Sequence, residues 1–324
     1  MIKIALIGMG QMGLLHASLL NVMPDVKLVA FSEKNPLICR FARKIFRDTS
    51  IVADVKELSG FGLDAIYVIT PISTHYPIVK TIYAEGIARN IFLEKPLASR
   101  YTESKELCNL AMNQGINMVG YNRRFAVTFK KAKEMMDSGT IGELIAFEGY
   151  AYSPVFLGVK ASSKTPPKRV LPELGCHIID LAVWFFGKLE VEEAKAESIV
   201  GPGSEDAVYL KVKTSRGLGG EIKTSWCMER YEATGLGLVI KGSKGTIKVE
   251  EDRLELKLND GKLSFWHMHN LNDNVPFLLP RADYFREDET FVKAIIDNRN
   301  VEPNFQSSLE VDRIIAQVEE GKVE

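Results

Sequence analysis

The first thirteen residues, MIKIALIGMGQMG, constrain the fold more than any other stretch. An apolar, β-branched run from Ile2 to Ile7 stops at Gly8, Gly10 and Gly13, and the apolar positions Leu14, Ala17 and Leu20 then recur at helical spacing. The pattern predicts a strand, a glycine turn and a helix. Gly8 permits the tight turn, Gly10 lets a pyrophosphate approach the backbone, and Gly13 lets helix and strand pack closely. The helix N-terminus offers N–H groups to the anion. A lone G-x-G-x-x-G also fits glycines that merely end a buried strand. Here an acid follows at the right distance: Glu33 ends the next strand, VKLVAFSE, 20 residues after Gly13, where a ribose-binding carboxylate belongs. Together the two signals imply a dinucleotide site contacted by Gly8, Gly10, Gln11, Met12, Gly13 and Glu33.

Strands and helices keep alternating downstream. Pro36 opens a helix through Phe46, a short strand lies near Ile51, and a buried strand runs from Ala65 to Thr70, which implies a parallel sheet with helices on both faces. Pro71 stops that strand, and Ser73 is the expected N-cap of a helix carrying Ile78, Val79 and Ile82. The segment TPISTH, residues 70–75, therefore lies at the carboxyl end of a strand, where open α/β sheets bind ligands. Thr70, Pro71 and His75 join the expected cofactor contacts, although a first-turn histidine bonded locally fits His75 equally. His16, behind the glycine loop, reads as a packing and hydrogen-bonding residue. A further strand, Asn90 to Leu93, runs into Glu94, Lys95 and Pro96 and puts an acid and an ammonium at the same edge, where both join the expected cofactor contacts. Lys95 is the first catalytic candidate, and the alternative is a surface lysine paired with Glu94. A helix from Tyr101 to Asn113 and a strand from Asn117 to Gly120 complete the dinucleotide domain, expected over residues 1–120.

A chain of 324 residues has room for about two domains. Its 41 basic residues nearly cancel its 42 acidic ones, so no field draws nucleic acid or an anionic membrane. Cys39, Cys108, Cys176 and Cys227 form no C-x-x-C pair, which suggests neither a disulfide framework nor a zinc knuckle but reduced thiols in a cytoplasm. There is no leader-like segment and no apolar run near ~20 residues, so the chain is expected neither to be exported by that route nor to span a membrane.

Beyond residue 120 the character changes. Strand-like runs follow one another from Glu143: ELIAFEGYAY, AVYLKVKTS, GGEIKTSW, GLGLVIKG, GTIKVEE and RLELKLND. Several alternate polar and apolar residues. They predict a large, mainly antiparallel open sheet in an α+β domain over residues 121–324, with helices near 126–138, 174–186, 285–297 and 309–320. The stretch from Leu171 to Gly187, LPELGCHIIDLAVWFFG, sets Glu173, His177 and Asp180 near one helical face. A histidine held by the Glu of its own helix is one account of that stripe, and catalysis is the other. Just upstream, Lys164, Lys168 and Arg169 form either a solvated loop or a basic group meeting a substrate carboxylate or phosphate. Arg123 and Arg124 add basic side chains at the domain junction. His267 and His269 could share a strand face, but no third ligand sits in spacing, so no metal is expected.

Taken together, GMGQMG with His16 behind it, Glu33, TPISTH, EKP at 94–96 and YNRRF at 121–125 resemble the glucose-fructose oxidoreductase and inositol dehydrogenase family, also called Gfo/Idh/MocA. The resemblance covers nearly the whole chain. It implies a Rossmann domain followed by an α+β domain for substrate binding and oligomerisation, a homodimer or homotetramer, and NAD-dependent oxidation of a sugar or cyclitol CH–OH group. The family's D-x-G-x-H-x-x-D pattern falls on Glu173 to Asp180, with Glu in place of the first Asp. By that resemblance His177 is the proton-transfer residue, Lys95 and Glu173 are its partners, and Asp180 joins Arg123, Arg124, Lys168 and Arg169 at the substrate. TPI replaces the commoner TPN, and residues 162–169 replace the usual Gly-Gly-Gly run.

An imidazole with an ordinary pKa near ~6.5 suits removal of a carbinol proton at neutral pH. Lys95 would stabilise negative charge on the oxygen, and Glu173 would orient the ring. Glu33 repels a 2′-phosphate and so favours NAD over NADP, with Lys34 next door weakening the preference. Three alternatives stand beside the dehydrogenase: oxidation of a nucleotide-linked sugar, a glycosidase or lyase with an internal redox cycle, and a catalytically silent NAD-binding regulator.

Overall fold

The computed structural model describes residues 1–154, 169–228, 235–271, 275 and 282–321. Its first sheet is built by β1 (Ile2–Ile7), β2 (Val26–Ser32), β3 (Ser50–Val52), β4 (Ala65–Val68), β5 (Asn90–Glu94) and β6 (Asn117–Gly120). The helices α1 (Gln11–Asn21), α2 (Pro36–Ile45), α3 (His75–Ala84) and α4 (Tyr101–Ala111) alternate with the strands. All pairings are parallel, in the order β3-β2-β1-β4-β5-β6. The chain starts at the centre, winds outward to β3, and returns beside β1 as β4, so the carboxyl ends of β1 and β4 flank the switch point where such sheets bind ligands. Helices on both faces explain why β1 and β4 read as unbroken apolar runs: Ile4, Ala5, Leu6 and Ala65 to Val68 are fully buried. Helix α3 begins later than the sequence suggests. Ile72–Thr74 forms a separate 3-10 turn, and Thr74 rather than Ser73 precedes the helix, without a side-chain cap.

The second sheet contains β7 (Leu144–Tyr152), β8 (Leu189–Glu197), β9 (Ala207–Thr214), β10 (Gly219–Ser225), β11 (Gly235–Gly242), β12 (Gly245–Glu250), β13 (Arg253–Leu258) and β14 (Leu263–His267). The order is β14-β13-β12-β11-β7-β10-β9-β8, and β7 with β10 is its parallel pair. The sequence reading did not anticipate β8 or β14. They are the two edge strands, where a charged segment such as LEVEEAKAE is tolerated because one rim faces no partner strand among the described residues.

Helices α5 (Val127–Asp137) and α6 (Cys176–Phe186) pack on one face of this sheet. Glycines make the contact close. A Cβ on Gly149 would lie 2.9 Å from Ile178 of α6, and one on Gly220 would lie 2.2 Å from the ring of Phe147, which stacks on Phe186 at 4.0 Å. The opposite face carries charges paired across and along strands, such as Glu148 with Lys241 at 2.8 Å and Glu221 with Lys223 at 2.8 Å, beside the stacked rings of Tyr150 and Tyr152.

The chain divides into two compact units, Met1–Tyr121 with Leu279–Asp312, and Asn122–Leu278 with Arg313–Glu324. The second expected domain is therefore not one continuous block. Helix α7 (Ala282–Ile296) and the first half of α8 (Phe305–Glu319) return to the first unit. Phe291 of α7 meets Tyr67 and Phe92 edge-on at 5.5 and 5.8 Å, and Ser104 donates to Asp312 of α8 at 2.5 Å. These contacts join segments about two hundred residues apart, which local pattern does not reveal. The four cysteines are free thiols, and among the described residues no helix is long and apolar enough to cross a membrane.

Candidate active site

The glycine loop explains itself residue by residue. Gly8 has φ +90°, and a Cβ there would lie 2.3 Å from the Ile69 carbonyl oxygen, while a Cβ on Gly13 would lie 2.1 Å from the Gly8 oxygen. Turn geometry and close helix packing demand these two. Gly10 differs, because a Cβ there would meet nothing of the protein within 4 Å. Its smallness leaves the approach to the backbone clear for an external group. Gly10 also precedes α1, which has no side-chain cap and no acid in its first turn, so the N–H groups and positive helix end suit an anion. Gln11 and Met12 form that first turn.

Glu33 is fixed at both oxygens. The Met9 N–H donates to Oε2 at 2.9 Å and the Asn35 N–H donates to Oε1 at 2.7 Å. The carboxylate is thus held on the wall of a cavity of about 530 Å³ lined by Gly8, Gly10, Glu33, Asn35, Ile38 and Thr70, among others. Pro71 and Lys34 reach the same cavity. A glycine floor, a fixed carboxylate and apolar walls such as Ile38 and Ile78 fit the nucleoside half of a dinucleotide. Asn35 caps α2 as well, accepting from the Leu37 and Ile38 N–H groups at 3.0 and 3.4 Å.

His75 is placed differently. It is buried, and its ring nitrogens lie 2.9 Å from the Pro96 carbonyl and 2.8 Å from that of Thr70. It ties the loop after β4 to the loop after β5, which is the locally bonded alternative rather than a cavity wall. Burial lowers its pKa against the pull of those carbonyls. Glu94 ends β5 and Lys95 follows it, and the Lys95 N–H donates to Glu94 Oε2 at 3.0 Å.

In the second unit the segment around His177 departs from a plain helix. Residues Leu171–Gly175 form a π-turn that runs into α6. Turns of this kind often occur at functional sites. Glu173 is exposed, His177 half-buried and Asp180 fully buried, so the three do not share one environment. Gly175 lets the turn approach β10, since a Cβ there would lie 3.2 Å from Thr224 and 2.9 Å from Leu171.

Arg124 forks onto Asp180 through Nε at 2.8 Å and Nη2 at 2.6 Å, both side chains buried. Arg123 meets Glu251 at 2.5 Å. Arg169 pairs with Glu319, and Glu205 accepts the Leu171 N–H at 3.0 Å beside it. Arg123, Arg124, Arg169 and Asp180, all expected at the substrate, thus have carboxylate or guanidinium partners within their own unit. Lys168 lies outside the described residues. The rings of His267 and His269 stack at 5.5 Å, but only His267 belongs to β14, and His269 sits in the following 3-10 turn. Sequence reasoning missed Glu251, Glu205 and, in the first unit, Asp288, which lies 2.8 Å from His16. No local signal marks them.

Residues 2–121 match the model of an oxidoreductase family with an NAD-binding Rossmann fold, GFO_IDH_MocA, and residues 129–248 match the GFO/IDH/MocA C-terminal domain. The chain belongs to the Gfo/Idh/MocA oxidoreductase family. This Gfo/Idh/MocA member is 26% identical over 271 residues to the myo-inositol 2-dehydrogenase of Thermotoga maritima, covering 81% of this chain and 74% of the relative. It is 30% identical over 188 residues to the scyllo-inositol 2-dehydrogenase (NAD(+)) of Bacillus subtilis, covering 56% of this chain and 51% of the relative. The matched part thus spans between half and three quarters of these curated relatives. A solved levoglucosan dehydrogenase in complex with NADH and L-sorbose shares the fold at a TM-score of 0.87 and 20% identity, over 98% of this chain and 96% of that one. The protein is an NAD-binding oxidoreductase of this family.

Proposed function

We propose that the protein oxidises a secondary hydroxyl of a sugar, cyclitol or related polyol, or reduces the matching ketone, with NAD as its cofactor. The observation that carries this reading is the doubly anchored Glu33 on the wall of a glycine-floored cavity. It is supported by relatives named as inositol dehydrogenases. Gly8, Gly10, Gln11, Met12 and Gly13 would hold the pyrophosphate, and Glu33 would accept from the adenosine ribose hydroxyls. NAD supplies a hydride acceptor when bound. His177 takes the hydroxyl proton as general base, Lys95 offsets negative charge growing on the oxygen, and Glu173 orients the imidazole. A screen of polyols, sugars and sugar nucleotides with NAD tests the reading. Steady NADH formation with a polyol or free sugar supports it. Turnover confined to a sugar nucleotide, product without net NADH, or tight NAD binding with no turnover overturns it in favour of one of the alternatives.

Cofactor choice follows from Glu33. Glu33→Ala should weaken NAD and improve NADP relative to it, because the change removes both the ribose acceptor and the repulsion of a 2′-phosphate. Equal losses for both cofactors in a titration would remove Glu33 from the ribose. The open face of the second sheet is the proposed contact in a homodimer or homotetramer, where charged and tyrosine side chains of two copies would interdigitate sheet on sheet. Light scattering at micromolar concentration should give a multiple of the chain mass, and a monomeric mass would refute the assembly.

A further inference from the structure

His16, Asp288 and Glu287 have no part in the functions argued so far. The ring is fully buried, tilted against Tyr67 and Phe92 at 5.9 and 5.2 Å and edge-on to Tyr284 at 6.0 Å. Inside this aromatic casing, Nδ1 lies 2.8 Å from Asp288 Oδ1 and Nε2 lies 3.3 Å from Glu94 Oε1. Each ring nitrogen faces a carboxylate, and an imidazole donates on both sides only when both nitrogens carry hydrogen. Burial opposes that charge, but Asp288 and Glu94 outweigh it and raise the His16 pKa well above its ordinary value. For Glu94, burial is likewise outweighed by His16 and Lys95, and its pKa falls below the usual carboxylate value. Asp288 is raised by burial against the pull of His16. Glu287, fully buried beside them, is driven well upward by burial and by Glu94, Asp288 and Asp283, against His16.

Buried ion pairs of this kind contribute little to stability, because desolvation offsets attraction, and apolar side chains would fill the same space at less cost. The geometry supplies another use. Glu94 touches His16 through Oε1 and accepts the Lys95 backbone N–H through Oε2 at 3.0 Å. A continuous line therefore runs from Asp288 on α7, through His16 on α1, to the end of β5. That end belongs to the β4–β6 half of the sheet, and sheets of this order give their second nucleotide-binding half to the second nucleotide. We propose that His16 and Asp288 are positioning residues for the nicotinamide half of the cofactor. They hold the Glu94 carboxylate, and through it the backbone of Lys95, at the carboxyl edge of the sheet. The inference rests on the proposed function in one respect, that the carboxyl end of β5 serves the nicotinamide side of a bound NAD.

Calorimetric titration of the full chain with NADH and with ADP-ribose tests it, since ADP-ribose keeps the contacts to the glycine loop and Glu33 but lacks nicotinamide. His16→Asn, which serves only one carboxylate as donor, should weaken NADH about tenfold, the scale of losing one charge-assisted contact. ADP-ribose should change less than about twofold. The pair His16→Leu with Asp288→Leu removes both partners together, leaves neither buried alone, and should show the same split. Equal weakening of both ligands, the mark of general loosening, overturns the proposal. So does unchanged NADH affinity in a folded variant. If neither variant folds, nitrogen-15 spectra of the unaltered protein at about pH 8, above the ordinary histidine range, decide. Hydrogen on both His16 nitrogens supports the proposal, and hydrogen on one overturns it. Lys95→Met separates this inference from the functional reading: if it leaves the preference for NADH over ADP-ribose intact while His16→Asn lowers it, the role of Lys95 falls and that of His16 stands.

Discussion

Alanine at His177 should lower kcat by the ~10²- to ~10⁴-fold typical of losing a positioned acid–base group, with NADH affinity nearly unchanged. Lys95→Met should lower kcat on a similar scale through loss of charge stabilisation. It should also weaken NADH modestly, because Lys95 directly follows a strand of the cofactor sheet. Both are read with the alcohol found in the polyol screen, by steady-state NADH formation and by NADH titration. A histidine that only packs behaves otherwise: its loss lowers the melting temperature while turnover per folded molecule stays near normal. That result for His177 would remove the proposed general base and leave a dinucleotide-binding protein without one.

Cutting the Arg124–Asp180 pair should produce the largest loss of stability. Asp180 is fully buried and Arg124 is 6% exposed, so Asp180→Ala removes both of the fork contacts from a guanidinium held in the interior. Removal of one partner from such a pair costs about 3–5 kcal/mol, whereas replacing both by apolar residues of similar volume is often neutral. Urea unfolding of Asp180→Ala and of the pair Arg124→Met with Asp180→Leu should therefore diverge, with the double variant close to the original protein. Equal destabilisation would show that packing rather than unpaired charge governs the site. The pair also bears on chemistry, because it anchors α6 one turn beyond His177 to the turn Asn122–Phe125.

The cofactor half of the site was legible in the sequence because its constraints are local. Gly8, Gly10 and Gly13 lie between one strand and the helix that follows it, and what each glycine must avoid or admit is set within a few residues of the loop and by the neighbouring strand end. Glu33 could be found by counting, since strand β2 must end beside β1 in any parallel pair with this connection. What counting could not supply was its orientation, which comes from the Met9 and Asn35 N–H groups. For His75 the sequence left two accounts open. Only the fold, by bringing the Thr70 and Pro96 carbonyls to its two nitrogens, chose between them.

By itself the sequence determined the alternation of strands and helices in the first sheet, the glycine turn, an acid at the end of β2 and the change from a parallel to a mainly antiparallel sheet. All of these follow from periodicity and from the conformational needs of single residues. The tertiary structure alone decided which charge meets which. Asp288 reaches His16 across 272 positions, and Arg124 reaches Asp180 across 56. It also decided that α7 rejoins the first unit and that Glu173 stands on a π-turn with Asp180 buried behind it. The physical reason is that a polar side chain is satisfied by whatever the folded chain brings within about 3 Å. That neighbour is fixed by packing of distant segments, on which local sequence pattern carries no information.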